Sequence, residues 1–142
     1  MTEQIFGDAS ISWYNNSIIQ VRYLENWDGE DNIETAKQVV DGIRSFATSK
    51  DFIGILFIPS ALYRKKEVLD FYQQQDMNEI ARAVAVKSYA AKLVGNIYLR
   101  LANGKPNENG RLILNKLFNN EEKALFWLQQ ELRRNKSNTT AQ

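Results

Sequence analysis

Apolar and polar residues alternate from Ala9 to Tyr14, with Ala9, Ile11 and Trp13 on one side and Ser10, Ser12 and Tyr14 on the other. A period of two marks a half-buried strand. After Asn15-Asn16-Ser17, residue types that tolerate a positive φ, the pattern resumes over Ile18–Leu24 with Ile19, Val21 and Tyr23 facing one way. The two runs predict an antiparallel hairpin. A polar loop, Glu25–Glu30, follows.

From Asp31 the period becomes helical. Asp31 and Glu34 have capping-box spacing, and Ile33, Ala36, Val40, Ile43 and Ala47 share one narrow face, which predicts a helix ending near Ala47. Phe52–Ile58 is continuously apolar, as a strand covered on both faces of a sheet must be, and Pro59 ends it. A second helix is predicted over Lys65–Gln75, with Val68, Leu69 and Tyr72 inward and the three glutamines outward. Ala83–Val86 is a short run of strand type. Ser88 is placed to cap a third helix, whose broad apolar face carries Ala90, Leu93, Val94, Ile97, Tyr98 and Leu101. Asn103–Gly110 reads as a loop and Leu112–Phe118 as the last strand. Asn119 and Glu122 then form a second capping box ahead of Ala124, Leu125, Leu128 and Leu132.

The order β-β-α-β-α-β-α-β-α predicts an α/β fold, a mixed sheet with an N-terminal β-hairpin, right-handed crossovers and helices packed against it. No linker divides the chain. Residues 1–134 are therefore expected to form one domain, and residues 135–142, with little to bury, a disordered C-terminal tail.

Composition narrows the chemistry. The 142 residues include sixteen aromatics, ample material for a core, but no cysteine and no histidine. Disulfides, thiolate metal sites, thiol nucleophiles and imidazole proton transfer are thereby excluded, which leaves carboxylates, hydroxyls, Lys and Arg. We expect no cofactor, no metal site and no enzyme. The net charge is +1, with 7 basic and 11 acidic residues in positions 1–71 against 11 and 6 in positions 72–142. That asymmetry is too mild for a nucleic-acid footprint, which needs a concentrated basic stripe. The first residues lack the basic and apolar regions of a secretion signal and no apolar run is long enough to span a bilayer, so a cytoplasmic protein without a membrane span is expected.

The element order, together with Ser88-Tyr89-Ala90-Ala91-Lys92-Leu93-Val94-Gly95-Asn96 and Leu117-Phe118-Asn119-Asn120-Glu121-Glu122-Lys123-Ala124-Leu125-Phe126-Trp127-Leu128, resembles the bacterial SpoIIAA-like branch of STAS domains, the anti-sigma-factor antagonist and sulfate-transporter family. The likeness covers Ala9–Leu132 in element order and residues 88–128 at the level of motif. It implies a STAS-like fold and a non-enzymatic regulatory or protein-interaction module, acting on a protein partner or as a homodimer. Phosphorylatable STAS antagonists carry an Asp-Ser-Ser-Gly type of sequence after the central strand. Here that stretch is Ile58-Pro59-Ser60-Ala61-Leu62-Tyr63-Arg64-Lys65-Lys66, so the phospho-switch is not carried over, although Ser60 lies nearby. SpoIIAA-like proteins also resemble the CRAL-TRIO fold, and the alternative is a binder of an apolar small molecule or lipid in a pocket beside the third helix. A minor alternative is a small carboxylate-dependent hydrolase using the cluster Asp28, Glu30, Asp31 and Glu34.

Two candidate sites emerge. Arg64, Lys65 and Lys66 crowd the start of the second helix, where the macrodipole disfavours each cation by roughly 0.3–1 kcal/mol. With Ser60 they form a candidate anion or partner site, or else are solvated charges ahead of a helix that begins later. Leu99 on the third helix and Phe126 on the last point away from their apolar faces, as a candidate interface or as isolated exposed groups.

Overall fold

The run Ile53–Ile58 is buried along its whole length and has a strand on either side. The computed structural model describes residues 3–25, 29, 32–48, 52–59, 65–87 and 103–140. Its sheet comprises β1 (Gln4–Phe6), β2 (Ala9–Trp13), β3 (Ile18–Tyr23), β4 (Ile53–Ile58), β5 (Glu79–Ala85) and β6 (Leu114–Phe118), in that spatial order. β1, β2 and β3 pair antiparallel, and β3 through β6 run parallel. The helices among the described residues are α1 (Ile33–Ala47), α2 (Lys66–Gln74) and α3 (Glu121–Thr140).

The expected α/β class and mixed sheet are present, with β2 and β3 as the hairpin. The expected order lacks β1, and its third helix, with Ser88 and Leu99, lies outside the described residues. The hairpin turn is made differently from expectation. Among the described non-glycine residues only Asn78 has a positive φ. The turn is held instead by the Asn15 side chain, whose Oδ1 accepts from the N–H groups of Ser17 and Ile18, both at 2.8 Å.

Both faces of the sheet are covered. Ile19, Val21, Ile53, Ile55 and Phe57 pack beneath α1 and α2, through Val39, Ile43, Val68 and Tyr72. Successive parallel connections that step one way across a sheet place their helices on one face. Ile18, Leu56, Ile58, Ala81, Ala83 and Ala85 meet α3 on the other face, through Ala124 and Leu128.

Two glycines set how closely layers approach. A Cβ on Gly42 of α1 would lie 2.5 Å from Cγ of Phe6, so the bare backbone there seats the β1 aromatic, which also meets Phe46 edge-on. A Cβ on Gly54 would lie 3.1 Å from Leu128, the large side chain by which α3 rests on β4.

Several boundaries are corrected. α1 is capped by Asn32, whose side chain accepts from the Thr35 N–H, and Ile33 stands partly exposed at the helix start, outside the buried face. Asn120, not Asn119, caps α3 through its bond from the Lys123 N–H. Phe52 precedes β4 and is exposed, with the Arg111 guanidinium over its ring. α3 runs to Thr140, into the segment whose composition predicts a disordered tail. β5 begins at Glu79, four residues before the apolar run that announces it. No described helix is long and apolar enough to cross a membrane.

Candidate functional site

β6 is the last strand of the sheet. Leu114, Lys116 and Phe118 lie opposite Ala81, Ala83 and Ala85, so all three share the α3 face, yet α3 is centred on β4 and β5. The outer part of that face is left partly open. Leu114 is 46 % exposed, and the preceding Leu112 is 66 % exposed.

Between β6 and α3 lies an open trough of about 390 Å³, lined by Lys116, Phe118, Glu122, Lys123, Phe126, Trp127 and Gln130. Its floor is aromatic. Phe118 and Trp127 pack at 5.7 Å between ring centroids, and Phe126, 58 % exposed, stands at the side without a ring partner among the described residues. The Lys116 ammonium lies 5.6 Å from the Phe118 centroid and 6.0 Å from that of Trp127, a cation–π arrangement that holds the charge over the floor. Neither Lys116 nor Lys123 has a carboxylate partner among the described residues, whereas Arg22, Arg44, Lys66, Arg82, Lys87, Arg111 and Arg134 do.

The outer edge of β6 is partly closed. Asn103 Nδ2 donates to the Asn115 carbonyl and Asn103 Oδ1 accepts from the Asn115 N–H, both at 3.0 Å. One side-chain amide thus pairs with the main chain as a neighbouring strand would, which blunts the edge toward strand addition.

The sequence-predicted sites fare differently. Lys65 is the N-cap residue of α2 and makes no capping bond with its side chain, and Lys66 pairs with Asp70 at 2.7 Å. The structure brings these two lysines to the helix start, as expected, and gives Lys66 an acidic neighbour along the helix. Ser60 and Arg64 lie outside the described residues, as do Leu99 and the carboxylates Asp28, Glu30 and Asp31. Phe126 is exposed as expected. Its companions are Phe118, Trp127 and Lys116, which sequence reasoning missed, and their signal was the alternation Leu114, Lys116, Phe118 on one face of the strand.

A second polar cluster lies at the opposite ends of the parallel strands. At the start of β5, Ile53 pairs with Glu79 and Gly54 with Ala81, which leaves Ile80 as an extra, bulged residue. The bulge turns Glu79 and Arg82 to the same face, although an odd separation would normally part them. The pair is buried, with Arg82 Nε donating to Glu79 Oε2 at 2.9 Å. Arg82 also donates to the carbonyls of Tyr72 and Gln75, each at 2.7 Å, and Glu79 Oε1 accepts from the Met77 N–H. Every polar atom of this pair is bonded within the protein, so it clamps the C-terminus of α2 and offers nothing to a reactant.

Outside the clamp, Arg111 donates to Asp76 Oδ1 at 2.6 Å and to the Glu79 carbonyl, while Arg44 reaches the Asp76 carbonyl and Glu108. Burial acts to raise the Asp76 pKa, but bonds from the Asn78 N–H and Asn109, the Arg111 charge and the Asn107 amide outweigh it and lower the value below 3.8. A carboxyl whose folded value lies below its unfolded one stabilises the fold fully above the unfolded value and loses that contribution as pH falls through the folded value. Asp76→Asn is expected to flatten the fall of the urea midpoint between about pH 5 and pH 2. An unchanged slope would remove Asp76 from the account of acid sensitivity.

No group of three or more acidic side chains among the described residues is arranged to hold a metal ion. A family described as a domain of unknown function (DUF7793) matches residues 12–132. No curated protein matches the chain, and no solved structure does.

Proposed function

We propose that this chain, which belongs to the DUF7793 family, is a non-enzymatic, STAS-like interaction module whose contact surface is the trough between β6 and α3. The observation that carries this reading is Phe126, a large exposed aromatic beside two half-covered rings on the open flank of the sheet. Aromatic side chains that enter a contact dominate its energy, and an apolar patch left open on a folded domain marks such a contact. The STAS-like part of the reading draws support from the hairpin, the parallel strands that follow it, and the last helix on the opposite face. The chemistry points the same way. The chain has neither histidine nor cysteine, and the buried Glu79–Arg82 pair is consumed in the α2 clamp.

Affinity purification from the native cell, with the wild-type chain and Phe126→Asp side by side, tests the reading. An aromatic hot spot is worth at least about 2 kcal/mol, so the variant is expected to recover a specific partner at least about thirtyfold less well. Its folding stability should stay within about 0.5 kcal/mol of wild type, because an exposed side chain is changed. Lys66→Glu, at the start of α2, serves as the distant control and should retain the partner. Equal recovery by all three proteins would refute the assignment of this surface.

A further inference from the structure

We infer that the trough receives an acidic linear segment of a partner protein, with one large apolar side chain entering between Phe118, Phe126 and Trp127 and neighbouring carboxylates meeting Lys116 and Lys123. This rests on the preceding reading of the trough as the contact surface and adds the chemistry of what fills it. Three observations support it.

The first is charge. Lys116 and Lys123 border the aromatic floor from β6 and α3 without a carboxylate of their own among the described residues, while most other described cations are paired. Lys116 is already placed, since its ammonium lies over two rings, so little freedom is lost when an anion joins it. The second is shape. A volume of about 390 Å³ is near the bottom of the range for ligand pockets, and the trough is open, so it suits a protruding side chain better than an engulfed small molecule. The third is the guard on the edge. With Asn103 occupying the Asn115 main chain, a segment arriving here is held by its side chains and not by adding a strand along this part of β6.

Exposed aromatics beside lysines also suit single-stranded nucleic acid. Glu122 also lines the trough and opposes either anion alike, but the two lysines are too few to make a track for a phosphate backbone. The observations therefore favour a peptide.

The test uses the full chain, isotopically labelled for NMR, and three synthetic decapeptides that share one central tryptophan. One flanks it with Asp and Glu, one with Asn and Gln, and one with Lys and Arg. A ten-residue oligothymidylate is the fourth probe. The acidic peptide is expected to shift resonances of Lys116, Phe118, Lys123, Phe126 and Trp127, and to bind at least about tenfold more tightly than the other three, with affinity falling as salt screens the charges. Lys116→Glu with Lys123→Glu should invert the preference between acidic and basic peptides. Lys116→Gln with Lys123→Gln should abolish the preference and retain weak binding through the rings. If the neutral peptide binds the same residues as well as the acidic one, the acidic assignment is overturned and the contact surface stands. Preferential binding of the oligonucleotide, or no binding by any probe at these residues, also overturns the inference, whereas loss of partner recovery in Phe126→Asp bears on the surface alone. Peptide-independent shifts that grow with protein concentration would identify a second copy of the chain as the occupant and would equally overturn it.

Discussion

Arg82→Met is expected to lower the unfolding free energy by about 3–5 kcal/mol, the cost of leaving one member of a buried ion pair without the other. Arg82 performs two tasks at once. It neutralises Glu79 inside the protein, and it donates to the Tyr72 and Gln75 carbonyls at the end of α2. Methionine fills much of the space but leaves a buried carboxylate and the helix end short of donors, each costly in a medium that cannot solvate them. The companion variant separates the two tasks. Glu79→Leu combined with Arg82→Met removes both charges and leaves underbonded the Met77 N–H and the helix carbonyls, one of which still accepts the Gln75 N–H. The double variant should therefore lose about 1–3 kcal/mol, less than the single one. Urea denaturation of the four proteins completes a double-mutant cycle. A single variant within 1 kcal/mol of wild type, or a double variant that loses the sum of both singles, would show that the pair is not the clamp described here.

That clamp is also where local sequence reasoning failed, and the reason is physical. Glu79-Ile80-Ala81-Arg82 places two charges three residues apart, the spacing of one helix face and not of one strand face. The bulge at Ile80 breaks the period of two, and only the packed α2 terminus explains a buried arginine. β1 was missed for a different reason. It has three residues, two of them exposed, and its signal was the Gly7-Asp8 pair that joins it to β2. In contrast, β4 was legible because both its faces are covered, and α1 because one of its faces is. The same logic governs the trough. Phe126 could be read from helical period alone, since it falls away from Ala124 and Leu128. That Phe118, Trp127 and Lys116 surround it depends on β6 lying beside β5 with α3 behind, a relation between distant segments that no local pattern contains.

Leu128→Ala is expected to cost about 3–5 kcal/mol, in the upper part of the range for emptying a core site. α3 rests on Gly54, Leu56, Ile58, Ala81, Ala83 and Ala85, and the side chains it buries there are Ala124 and Leu128. Gly54 and the three alanines of β5 allow close approach, and Leu128 is the large side chain that α3 buries in the seam. It is fully buried, with Cδ2 against Gly54. The neighbours cannot close the resulting gap, because Gly54 lies in a strand hydrogen-bonded on both sides and has no side chain to extend. The loss should appear in α3 before the rest of the fold, as faster amide exchange over Glu121–Leu132 than in β3 and β4. Because α3 carries Lys123, Phe126 and Trp127, peptide binding should weaken in step with that local opening even though Leu128 does not line the trough. Phe126→Asp should do the reverse and lose binding with exchange unchanged. Unchanged amide exchange and peptide affinity in Leu128→Ala would mean that α3 is held by something other than this seam.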